Sequence, residues 1–114
     1  MKADEIAKIL DGEVICGKEF LDKDVYTACA SDMMSDVLAY VKDQAVLVTG
    51  LCNVQTIRTA QMMDMVCIVF VRNKKPDAAM VKLAEERDLI LITAKQTMFG
   101  ACAILSKAGL KAGG

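Results

Sequence analysis

Three short apolar runs recur at a fixed interval. AVLVT (45–49), CIVFV (67–71) and LILIT (89–93) begin 22 residues apart. Near-continuous aliphatic runs bounded by polar turns are the pattern of strands buried on both faces. Between and after them, apolar residues fall at helical spacing: Met80, Leu83 and Ala84, then Met98, Ala101, Cys102 and Leu105. Met34, Val37, Leu38 and Val41 repeat that pattern earlier in the chain. A strand–helix unit recurring in this way predicts βαβ crossovers, and so a mainly parallel sheet flanked by helices. Three copies are too few for a solenoid.

Local signals mark the helix ends. Pro76 suits a first-turn position, Asn53 an N-cap, and Gly109-Leu110 a C-terminal cap. The first third is less regular. It reads as a helix over 3–10, strands at Glu13–Cys16 and Val25–Ala30, and a helix capped by Ser31-Asp32 that runs to about Lys42, with Gly12 and Gly17 as punctuation. The expectation is a single domain over residues 1–114, with Gly113-Gly114 a frayed end.

Composition narrows the function classes. A chain that is 54% hydrophobic and 25% charged is not intrinsically disordered. The net charge of −1, from 14 basic and 15 acidic residues, argues against nucleic acid as a partner. With no Trp there is little platform for stacking bases either. The longest apolar run, Met65–Val71, is far short of the ~18 residues a spanning helix needs, so no membrane partner is expected. Mean hydropathy of +0.35 is high for so short a chain and points to apolar surface covered in a homodimer. The five cysteines show no CxxC spacing and there is no His, so no metal site is expected; reduced thiols suit the cytoplasm.

Ligands of parallel α/β sheets gather outside the carboxyl ends of the strands. The loops there are 49–53, 72–77 and 93–97, and they carry Arg72, Lys74, Lys75 and Lys95 against Asp77 alone. The opposite edge carries Asp43, Asp64, Glu85, Glu86 and Asp88 against Lys42 and Arg87. Helix macrodipoles by themselves favour the reverse. An anion held by backbone N–H groups and the lysines would account for the asymmetry, and a solvated charged loop is the competing account. The candidate ligand contacts are Thr49, Gly50, Asn53, Arg72, Lys74, Lys75, Thr93, Lys95 and Thr97. Asp32 and Ser35 join them if they face a pocket rather than cap a helix. Gly50 allows either a close ligand approach or a tight turn. Cys52 lies where a helix dipole would lower a thiol pKa, although an incidental cysteine is the simpler reading. Cys67 and Cys102 read as core, and the eight methionines as core filling or an adaptable dimer surface.

No GxGxxG or GxxxxGK[ST] motif is present, so dinucleotide and P-loop chemistry are unsupported. Without His, and with no acid beside a nucleophile in a recognisable motif, no catalytic constellation emerges. The expectation is a non-catalytic regulatory module that binds a small anionic ligand such as a nucleotide, without a cofactor. The alternative is a homodimeric interaction scaffold.

The runs ASDMMSDVL (30–38), VTGLCN (48–53), IRTA (57–60), VFVR (69–72), Lys75-Pro76 and Leu83-Ala84 resemble stand-alone DRTGG-domain proteins over about residues 10–110. Arg72-Asn73-Lys74-Lys75 stands about where that family has Arg-Thr-Gly-Gly, so the glycines of the signature are replaced. The resemblance implies a three-layer, Rossmann-like fold similar to the N-terminal domain of HPr kinase/phosphorylase. It also implies a regulatory or ligand-sensing role, often in dimers. It does not bring kinase activity with it, because the P-loop is missing.

Overall fold

The three repeated runs form the middle of the sheet because none of their side chains reaches water. In the computed structural model, which describes residues 1–41 and 44–113, they are β3 (Ala45–Thr49), β4 (Cys67–Phe70) and β5 (Ile90–Thr93). Every residue of the three strands is buried. Their alternation sorts side chains between two cores. Val46, Val48, Cys67, Val69, Ile90 and Ile92 face one, where α1 (Ala3–Ile9) supplies Ile6 and α5 (Met98–Lys107) supplies Ala101 and Leu105. Leu47, Ile68, Phe70 and Leu91 face the other, with Val37 of α2 (Met34–Tyr40), Ile57 of α3 (Val54–Met62) and Met80 of α4 (Ala78–Glu85). Two helices, one sheet and three helices make the expected α/β three-layer architecture.

The sheet has six strands in the order β1-β5-β4-β3-β2-β6, where β1 is Glu13–Cys16, β2 is Thr27–Ala30 and β6 is Lys111–Ala112. All neighbours are parallel except β1, which runs antiparallel to β5 with Glu13 opposite Thr93. Parallel registers set Val46 opposite Cys67 and Cys67 opposite Ile90. These pairings align the carboxyl ends of β3, β4 and β5 at one edge of the sheet.

Several local expectations are corrected. Gly113 is not frayed: it is buried, and its N–H donates to the Ala28 carbonyl at 2.8 Å, extending the pairing that makes Lys111–Ala112 a strand. Gly114 lies outside the described residues, as do Lys42 and Asp43, so the expected helix end at Lys42 is not described; α2 closes at Tyr40. Ser31-Asp32 does not cap α2. Its N-cap is Met33, without a side-chain bond, because the Ser31 hydroxyl accepts locally from the Met33 N–H and Asp32 turns elsewhere. Pro76 precedes the helix rather than entering it, since Asp77 is the N-cap and its carboxylate accepts from the Met80 N–H at 2.9 Å. Leu38 is exposed despite its helical spacing. The cap at Gly109 is as expected: φ is +110°, and Leu110 N–H reaches back to the Leu105 carbonyl at 3.1 Å.

Candidate functional site

Hydrogen bonds between the loops beyond β2, β3, β4 and β5 join them into one surface. Arg72 N–H donates to the Gln96 carbonyl at 2.7 Å and Asn73 N–H to the Ala94 carbonyl at 2.8 Å. These two bonds hold consecutive residues in the left-handed region, at φ of 56° and 57°. The Thr93 hydroxyl donates to the Lys74 carbonyl at 3.0 Å, and the Lys74 ammonium donates to the Gly50 carbonyl at 2.7 Å. From the other side, one Asp32 carboxylate oxygen accepts from the Gly50 N–H at 2.7 Å and the Thr49 hydroxyl at 2.9 Å. The Gly50 N–H holds the Asp32 carboxyl below its ordinary range, helped by the Thr49 hydroxyl and the nearby charges of Arg72 and Lys74, against a partly opposing burial effect.

Gly50 is therefore the hub. Its conformation is not left-handed, so a tight turn is not why glycine stands there. What lies over it is the Arg72 guanidinium: a Cβ at this position would push that flexible side-chain end aside. The edge thus places Asp32, Thr49, Gly50, Lys74 and Thr93 within one bonded network, with the Arg72 guanidinium lying over Gly50.

The remaining candidates sit around it in different roles. Asn53 and Thr97 are helix N-caps, accepting from Thr56 N–H at 2.9 Å and Gly100 N–H at 3.1 Å. Lys75 points away toward β1, where it pairs with the exposed Glu13 at 3.0 Å. Lys95 is exposed on the loop after β5, and Ser35 is exposed in the first turn of α2. Two residues of the edge carry structural roles the sequence did not signal. The Gln96 amide donates to the Leu10 carbonyl at 2.8 Å, 86 residues away, and the Thr56 hydroxyl donates to the Leu51 carbonyl at 2.7 Å. Such partners are invisible to spacing arguments, and an isolated Gln or Thr gives no periodic signal.

Cys67 is core as expected, Cys52 fits the incidental reading rather than the helix-dipole one, and Cys102 departs from expectation. Burial pushes Cys52 up rather than down, Asp77 adds to that, and Lys74 offsets only part of it. The helix-dipole argument for a reactive Cys52 fails on these neighbours. Cys67 is fully buried and pushed up to about 12. Cys102 is only partly buried and lines a shallow apolar cavity of about 240 Å³ with Ala30, Leu105 and Leu110. Among the described residues, no group of three or more His, Cys, Asp or Glu is placed to hold a metal, and no helix is long and apolar enough to cross a membrane.

Two acids of the acidic edge have a local explanation. Asp64 and Asp88 are left-handed, with φ of 53° and 59°, just past the ends of α3 and α4. The residues after them close the turns, Met65 N–H onto the Ala60 carbonyl at 2.9 Å and Leu89 N–H onto the Ala84 carbonyl at 3.0 Å. Asp tolerates this conformation better than most residues. These two acids stand where they do because of backbone geometry. Asp43 lies outside the described residues.

Residues 5–108 match the DRTGG domain family. No curated protein matches the chain at a significant level. Among solved structures, it is similar to the CBS and DRTGG domains of the regulatory region of a Clostridium perfringens pyrophosphatase, complexed with the activator diadenosine tetraphosphate. The TM-score is 0.73 at 15% identity, over 91% of this chain and 45% of that one. The likeness is one of fold, and the chain spans less than half of that structure.

Proposed function

This chain belongs to the DRTGG domain family, and from that premise we propose that it is a non-catalytic regulatory module. It binds a small anionic ligand at the carboxyl edge of its sheet, with nucleotides the first class to test, and it works among reduced thiols in the cytoplasm. The observation that carries this reading is the convergence of Arg72, Lys74 and Lys95 on loops tied to one another by Arg72–Gln96, Asn73–Ala94 and Lys74–Gly50 bonds. Cations beside the exposed starts of α3 and α5 give an anion both full charges and backbone donors. The similarity to a pyrophosphatase regulatory region that was crystallised with a dinucleotide activator makes nucleotides the natural probes.

Calorimetry and thermal-shift measurements over a panel of nucleotides test this. A binder present at about 100 times its Kd is expected to stabilise the fold by about 2.7 kcal/mol. The response should disappear in a Lys74→Ala/Lys75→Ala/Lys95→Ala variant. No response across the panel, with the variant behaving like the wild type, overturns the reading. A second reading, a homodimeric interaction scaffold, draws on the exposed Met33, Leu38 and Tyr40 on and beside α2 and on Phe99, which is 85% exposed. Sedimentation as a stable monomer at micromolar concentration removes its dimeric form.

A further inference from the structure

The Gly50 hub already holds an anion, and that anion belongs to the protein. The Asp32 carboxylate takes the Gly50 N–H and the Thr49 hydroxyl, with the Arg72 guanidinium lying against Gly50 and the Lys74 ammonium bonded to the Gly50 carbonyl. One backbone donor and one hydroxyl serve the carboxylate, and two cations stand near it without an ion pair to it. Together these groups match the charge and acceptor count of a phosphoryl group. Asp32 is also the tether of α2. That helix has seven residues, one buried side chain (Val37) and no side-chain cap, so Asp32 and the bond from Ser31 N–H to the Val48 carbonyl do much of the work of fixing its start.

We propose that Asp32 is a built-in occupant of a phosphoryl seat at Thr49-Gly50, so that a phosphoryl ligand and the α2 tether exclude one another. The inference rests on the anion-binding reading above and adds its regulation. Ligand binding displaces the carboxylate, releases the start of α2 and loosens the helix that carries the exposed Leu38 and Tyr40. The structural change that a partner reads is then the freeing of α2. In the absence of ligand, Asp32 keeps the seat closed.

Inorganic pyrophosphate is the probe, titrated by calorimetry into the wild type and into Asp32→Ala, with hydrogen exchange followed at residues 34–40. Removing the internal competitor is expected to tighten pyrophosphate binding by about tenfold or more, the scale of a charge-assisted bond. In the wild type, saturating pyrophosphate is expected to speed exchange across α2, and this measurement stands alone if Asp32→Ala does not fold. Equal affinity in both proteins, or α2 exchange in the wild type that is unchanged or slowed by bound pyrophosphate, overturns the tether-displacement proposal while leaving the anion site standing. Absence of binding to either protein overturns the proposal; the anion site as a whole falls only if the nucleotide panel is silent too.

Discussion

Charged residues at the two ends of the sheet do different work. At the amino end, Asp64 and Asp88 occupy left-handed positions that close helices α3 and α4. Their charge is incidental to the role, which needs a residue that tolerates positive φ. At the carboxyl end, Asp32 and Lys74 converge on Gly50 from loops 18 and 24 residues away, and there the charges are the bonds. A charge asymmetry that reads along the chain as one signal is two. Only the carboxyl end enters the proposed ligand reading.

The largest effect should come from breaking the charged hub. Asp32→Ala leaves the buried Gly50 N–H without its acceptor. It is expected to destabilise the fold by about 1–2 kcal/mol, reduced from the full charge-assisted value because Asp32 is itself exposed. Denaturant unfolding gives that number directly. The same variant has a pH signature. Because the folded pKa of Asp32 lies below its unfolded value of about 3.9, the stabilisation is complete above that pH and is lost as pH falls through the lower folded value. Wild-type stability should therefore fall more steeply than that of Asp32→Ala below about pH 4.

A smaller effect separates the amino end by its backbone. Asp64→Gly keeps the left-handed cap and removes the charge, and is expected to stabilise by about 0.5 kcal/mol. Asp64→Val removes the same charge but resists the conformation, and is expected to cost about 1 kcal/mol. If both variants moved stability in the same direction, charge rather than geometry would govern that end. Smallest of all is Lys75→Ala, which breaks an exposed pair with Glu13 and should change stability by less than about 0.5 kcal/mol. A larger loss would mean that Lys75 belongs to the hub after all.

The central strands could be read because burial on both faces leaves only aliphatic runs, and β3, β4 and β5 differ from the expected segments by at most one residue at an end. The cap at Gly109 was legible because glycine is the residue most at ease there, at a φ of +110°. The site was legible as a set of loops but not as a set of contacts. Asn53 reads from the sequence as an N-cap and is one, whereas Thr97 reads only as a polar residue at a strand end and is engaged as the cap of α5. Asp32 looked like a cap and is instead the partner of Gly50. Gly50 itself was ambiguous between a turn and a close approach, and the approaching group is Arg72.

Local physics thus determined the alternation of strand and helix, the parallel centre of the sheet and the edge where loops gather, since each follows from periodicity and connection length. The reversed direction of β1, the pairing of Lys111–Ala112 with β2, and the partner of each polar group at the carboxyl edge were decided by the assembled fold. The reason is sequence distance. A hydrogen bond between Asp32 and Gly50 or between Gln96 and Leu10 depends on where packed layers bring remote backbone together, and no window of neighbouring residues contains that information.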